Sequence, residues 1–185
     1  SSQTILSSSR SKTNGYYQYF WDFADGNTFG RYISKRNGET QTVDIQQNFI
    51  GDFKVGKIRN RVVVGVDYFE SNVSNASTGW VLNGAFTIQD GNDSGDLTQI
   101  GVDSLLLGTF EGVSTANTKV ASAYISDVIN FTPKLSAMLS IRVDNFRNDA
   151  FVNASNSDKS QTSVSPKFGL VYQPILDKVS IFGNY

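Results

Sequence analysis

Side chains alternate in character along several stretches of this chain, and the alternation persists for longer than an ordinary strand needs. In Val43–Phe53, the residues Val43, Ile45, Phe49 and Phe53 share one side, while Asp44, Gln46, Asn48 and Asp52 share the other. Successive strand residues point to opposite faces, so this period of two marks a strand with one apolar and one polar face. Arg61–Phe69 repeats it with Val62, Val64, Val66 and Tyr68 on the apolar side. Ala137–Asp144 and Lys167–Gln173 follow, with Leu139, Ile141 and Val143, then Phe168, Leu170 and Tyr172, as their apolar rows. Thr118–Phe131, Val179–Tyr185 and Gln3–Arg10 are less regular; Asp127 shares a row with Ala123, Ile125 and Ile129, which leaves the facing of that strand open. Globular strands commonly run about 5 to 6 residues, so strands this long need another reason.

The connections supply it. Gly56–Asn60, Thr132–Ser136 and Pro174–Lys178 are short, whereas Ser11–Thr42, Val73–Asn117 and Asn148–Thr162 are long and polar. Short turns at one rim and long loops at the other are the arrangement of a transmembrane β-barrel. The fold class expected is therefore all-β: a segment of an antiparallel transmembrane barrel with about seven membrane-length strands, short periplasmic turns and long extracellular loops. Arg142, Asp144, Asp67, Lys167 and Asp44 fall on the face assigned to the lumen, where a charge costs least.

Composition removes most other classes. The 185 residues include no Cys and no His, which takes away thiolate and imidazole chemistry, the Ser-His-Asp triad and almost every zinc site. Sixteen Lys and Arg against 17 Asp and Glu give no basic excess for a nucleic-acid partner. An enzyme is not expected, and no apolar run reaches the roughly 18 residues of a spanning helix.

Two blocks then resemble one family. Gln47–Tyr68 reads as a strand, a Gly56-Lys57-Ile58 turn and a strand ending Gly65-Val66-Asp67-Tyr68; Ser165-Pro166-Lys167-Phe168-Gly169-Leu170-Val171-Tyr172-Gln173-Pro174 is followed by the tyrosine-ending Val179–Tyr185. With Ala123–Asp127 and Leu139–Asp144 between them, these segments resemble, in matching order, the barrel of TonB-dependent siderophore receptors. The resemblance implies that residues 1–185 are part of a barrel of about 22 strands, with the family's plug domain and Ton box lying outside this sequence. It implies a bacterial outer-membrane location and active import of a ferric siderophore, energised by the TonB-ExbB-ExbD system through the N-terminal part. The lipid bilayer and lipopolysaccharide would be partners, and the ferric siderophore would be transported ligand, with no cofactor required.

Candidate ligand contacts lie in the long connections. Tyr16, Tyr17, Tyr19, Trp21, Arg31 and Tyr32 crowd the first, with Trp80 and Phe86 in the second beside Phe110 as a further anchor. Aromatic rings next to a guanidinium can stack on an amphipathic chelate and offset its charge. The same rings could instead form an aromatic girdle or cross-strand pairs. Asp25-Gly26 and Asn37-Gly38 are hairpin signals, so the first loop is expected to be a β-ribbon standing above the membrane. The second loop has no Lys or Arg, and its Asp90, Asn92, Ser94 and Asp96 match the first half of a calcium loop, but Gly101 stands where the bidentate Glu belongs. That makes it a weak metal candidate and a flexible acidic tip the plainer expectation.

Two rival readings use the same residues. One is a passive porin or small complete outer-membrane barrel. The other is a soluble β-sandwich binding glycans through the aromatic loop, which would need a second layer over its apolar face.

Overall fold

The computed structural model describes residues 1–109, 111–152 and 155–185. Its strands are β1 (Ser2–Asp22), β2 (Thr28–Val55), β3 (Ile58–Thr78), β4 (Val81–Thr87), β5 (Glu111–Thr132), β6 (Leu135–Val152), β7 (Ser155–Ile175) and β8 (Val179–Asn184), with one helix, α1 (Gln99–Leu106). They form a single antiparallel meander in the order β1-β2-β3-β5-β6-β7-β8, and the short β4 pairs with β2 alone. The sheet is open, its first and last strands each paired on one side.

The register settles which residues share a face. Phe49 sits opposite Val64, Val64 opposite Ile125, Ile125 opposite Ile141 and Ile141 opposite Pro166. Around that row lie Val43, Ile45, Val66, Leu139, Val143, Val164, Phe168, Leu170 and Ile181, all exposed. Asp127, whose facing the sequence left open, belongs to this apolar face, opposite Val62 and Leu139. From Val43 to Phe53 the row spans ten residue steps; at about 3.3 Å per residue and a tilt near 45° this rises roughly 23 Å, close to the height of a barrel's lipid-facing band. Above it the same face turns polar. Tyr68 donates to Glu70 (3.0 Å), Arg10 and Lys12 pair with Glu39 (2.7 and 3.3 Å), and Arg147 pairs with Asp149 (3.1 Å). No second layer covers the band among the described residues, so the sandwich reading lacks its core.

The opposite face carries a polar network across four strands. Arg142 donates to Asp144 (2.7 Å), to Asp67 (2.9 Å) and to Ser122 (2.8 Å), and Ser122 donates in turn to Asp144 (2.7 Å). Its guanidinium lies 5.3 Å over the Tyr124 ring, whose hydroxyl donates to Asn48 and accepts from Gln46 (2.6 Å). Arg142, Asp144 and Asp67 thus fall on the polar face, as the alternation predicts, and so do Lys167 and Asp44 by register. Gly65 makes the crossing possible: a Cβ there would stand 2.4 Å from the Tyr124 ring and 2.5 Å from Asn48 Oδ1.

The long polar stretches are mostly strand. β1 and β2 stay paired from Ser2↔Phe49 to Asp22↔Phe29, so the ribbon predicted from the first loop exists and the weak Gln3–Arg10 strand is its base. The chain turns at Phe23–Asn27, as Asp25-Gly26 suggests. Asn37-Gly38 is not a turn. Both residues lie inside β2 with β1 on one side and β3 on the other. Asn148–Val152 and Ser155–Thr162 likewise pair as extensions of β6 and β7. Two-sided pairing overrides the local turn preference of Asn-Gly.

Replacing Gly65 by Ala should destabilise the folded barrel by about 1–3 kcal/mol through overpacking. In the full-length protein this would appear as a lower temperature for loss of the compact, detergent-resistant electrophoretic form; an unchanged temperature would contradict the packing described.

Candidate functional site

The β1–β2 ribbon has no register shift, so the alternation that fixes the apolar and polar faces continues to its tip. Arg31, Ile33 and Lys35, with Tyr16, Gln18 and Phe20 opposite them, continue the apolar-face row. Tyr17, Tyr19 and Trp21, with Ser34, Tyr32 and Gly30 opposite, continue the polar-face row, and Arg36 joins them.

The segment after β3 covers the first of these rows. β4 takes the place of β3 beside the end of β2, pairing Phe29 with Phe86 and Ile33 with Val81. Thr98 caps α1, its hydroxyl accepting from the Gly101 N–H (3.1 Å). The helix seats Val102 and Leu106 on Ile33, with Val81 alongside, and makes a buried apolar cluster. Two cations are tied down in the process. Arg31, 3% exposed, pairs with Asp93 (2.5 Å) and lies 5.6 Å over the Phe20 ring, which packs edge-on against Phe86. Lys35 donates to Asp103 (3.0 Å) and sits 5.0 Å over the Tyr16 ring, whose hydroxyl also donates to Asp103 (2.8 Å). The hydrogen bond from Lys35, with that from Tyr16, holds the Asp103 carboxyl below the usual carboxylate range. The same bond to Asp103 raises Lys35.

The second row is open. Tyr19 stacks on Tyr32 (centroids 5.1 Å apart, 8° between planes) and meets the edge of Trp80 at 4.7 Å. Arg36 lies 5.3 Å from both the Tyr17 and the Trp80 ring centres. Below them is a depression of about 460 Å³ lined by Ser11, Thr13, Tyr17, Arg36, Thr40, Asn75 and Ser77, with hydroxyls and amides but no carboxylate.

Of the eight aromatic and basic residues singled out in the sequence, Tyr17, Tyr19, Trp21, Tyr32 and Trp80 therefore share the open surface. Arg31 and Phe86 lie on the side of the α1 segment instead, and Tyr16 is tied to it through Asp103 while staying exposed. Phe110 lies outside the described residues. Arg36 is the residue that sequence reasoning missed, although counting back by twos from Asp44 reaches it on the polar side. Of the four calcium-loop positions, Ser94 and Asp96 are engaged locally: the Ser94 hydroxyl accepts from the Ala85 N–H (2.9 Å), and Asp96 accepts from the Thr98 N–H (2.8 Å). No three acidic side chains converge among the described residues.

A long-stranded antiparallel meander with a lipid-height apolar face, a charged opposite face and extended hairpins at one rim defines a sector of an outer-membrane β-barrel. The family model for the TonB dependent receptor-like beta-barrel matches residues 2–185. The chain belongs to that family, and its place is the bacterial outer membrane. No curated protein matches the sequence. Among solved structures, the closed form of the ferric-catecholate import receptor Fiu from E. coli K12 superposes with a TM-score of 0.79 at 18% identity, over 99% of this chain and 29% of that one. The FpvAI receptor in its complex with pyocin S2 gives 0.77 at 19% identity, over 99% of this chain and 24% of its own. BauA, the ferric preacinetobactin receptor from Acinetobacter baumannii, gives 0.70 at 14%, over 99% and 27%. The chain spans under a third of each, so it supplies one sector of such a wall, with the polar face inward.

Two outcomes test the site's construction. Changing Asp93 to Asn leaves the Arg31 guanidinium without its carboxylate; Asp93 is itself part-exposed, so the cost should be about 1–2 kcal/mol. Limited proteolysis should then cut the segment between β4 and α1 faster, and unchanged protection would contradict the clamp. The Asp103 pair has a definite pH window. A lowered carboxylate stabilises above its unfolded pKa and loses that contribution as pH falls through the folded value; a raised lysine loses its contribution as pH rises through the folded value. Hydrogen-exchange protection of α1 should therefore be flat near neutrality and fall at both extremes, and Asp103→Asn should abolish the acid-side fall.

Proposed function

We propose that the protein carrying this chain is an outer-membrane receptor that binds a ferric siderophore at the cell surface and imports it with energy delivered by the TonB-ExbB-ExbD system. The observation that carries this is the family match over residues 2–185, joined to an open aromatic surface with Arg36 on the lumen side of the extracellular rim. The names of the superposed receptors, which include a ferric-catecholate import receptor and a ferric preacinetobactin receptor, support an iron chelate as cargo.

Binding rests on non-covalent contact. Tyr17, Tyr19, Trp21, Tyr32 and Trp80 offer ring faces and edges for stacking, while the hydroxyls and amides of Ser11, Thr13, Thr40 and Asn75 can replace hydration of the chelate's polar groups. No bond is made or broken, so the function requires no catalytic residue and no resident cofactor. The plug and Ton box belong to the part of the protein outside this chain. On the outer side, the apolar band contacts lipid, and the charged row above it lies level with lipopolysaccharide. Membership of the family favours an energised receptor over a passive porin.

The test is uptake of radioiron-labelled siderophores by iron-starved cells that have only the full-length receptor as a route. Uptake should saturate, and it should stop when the inner membrane is de-energised or TonB is deleted. Uptake that continues in de-energised cells would make the protein a porin.

A further inference from the structure

We propose that the inner surface formed by Arg36, Tyr17, Tyr19, Tyr32 and Trp80 selects an anionic ferric chelate built from planar aromatic rings, a tris-catecholate, over a neutral tris-hydroxamate. The inference rests on the receptor reading above and narrows its ligand class.

The three cations near the ribbon tip have different fates. Arg31 is buried against Asp93, and Lys35 is held by Asp103. Arg36 alternates to the other face, where its guanidinium lies 5.3 Å from the ring centres of both Tyr17 and Trp80. Among the described residues no carboxylate lies within ion-pair distance of it, and the depression beside it has no acid in its lining. Aromatic neighbours orient a guanidinium and keep its N–H edge available, because a ring face offers it no strong acceptor. The α1 segment removes the competing charges: it draws Asp93 and Asp103 to the far side of the ribbon, away from Arg36.

Chelate chemistry then discriminates. Iron(III) held by catechol dianions is a compact anion with flat rings at its periphery; held by hydroxamate monoanions it is neutral and presents no rings. The first matches an unneutralised guanidinium flanked by exposed ring faces. The second would desolvate Arg36 without giving it a counter-charge, which is costly. A guanidinium-to-anion contact of this kind is worth about tenfold or more in affinity.

The test uses the purified full-length receptor and two probes, the iron(III) complexes of a synthetic tripodal tris-catechol and a synthetic tripodal tris-hydroxamate, with binding followed by quenching of tryptophan fluorescence. The catecholate should bind at least about tenfold more tightly. Arg36→Gln should erase most of that preference, Arg36→Lys should retain part of it, and Lys57→Gln, in a periplasmic turn, should leave it unchanged. Equal or tighter binding of the hydroxamate, or an Arg36→Gln protein that keeps the preference, overturns the inference. Should Arg36→Gln fail to fold, the preference of the unmodified receptor decides by itself. Binding and uptake of the hydroxamate alone would leave the receptor reading standing and sink this one; binding of neither probe would sink this one, and the receptor reading falls only if energised uptake of siderophores is also absent.

Discussion

Lipid offers a backbone no hydrogen-bond partner, and each unpaired N–H or C=O there costs several kcal/mol. Everything else in this chain is arranged around that constraint. The β-ladder carries every spanning segment, and strand alternation then separates the two faces by chemistry, putting Phe49, Val64, Ile125 and Ile141 on one side and Asn48, Asp67, Ser122 and Arg142 on the other. A soluble sheet would need a second layer over its apolar side. Here the membrane takes that place, which is why the buried apolar cluster of Ile33, Val102 and Leu106 sits outside the band.

The polar face holds the wall together laterally. Arg142 ties β6 to β5 and β3, and Tyr124 carries the chain of contacts over Gly65 to Asn48 on β2. Above the membrane, the same ladder lifts the ribbon into the extracellular rim and keeps its alternation in phase. The α1 segment completes the division by covering one side of the ribbon and leaving the other open. What sets the proposed binding surface is thus the phase of the strand as much as the identity of the rings: Arg31 and Arg36 are close in sequence, yet one is a buried structural cation and the other lies on the polar face.

The membrane-spanning parts of the fold were legible because their two faces differ sharply, as in Val43–Phe53. The extensions were not, because above the lipid both faces are wet. Ser11–Thr13 offers an apolar row on neither side and reads as loop although it is paired throughout. Asn37-Gly38 was misread for a related reason, since turn chemistry is local and the two flanking strands are not. The β4 and α1 elements were hidden because each is short and their burial depends on Ile33, far away in sequence. The aromatic residues of the site stood out by composition alone, but composition does not assign a face. Arg36 could have been found by extending the period of two from Asp44 through the polar stretch.

The central claim is that one face of this sheet meets lipid and the other meets a water-filled or plug-filled lumen. Since this chain has no cysteine of its own, nitroxide labels can be placed singly along β6 of the full-length receptor in bilayers and their exposure compared toward oxygen, which concentrates in lipid, and a water-soluble nickel chelate. A period of two is predicted from Ala137 to Asp144, with oxygen exposure highest at Leu139, Ile141 and Val143 and lowest at Ser140 and Asp144. A flat profile, or one with the opposite phase, would contradict the assignment of faces and the inward placement of the proposed binding surface with it.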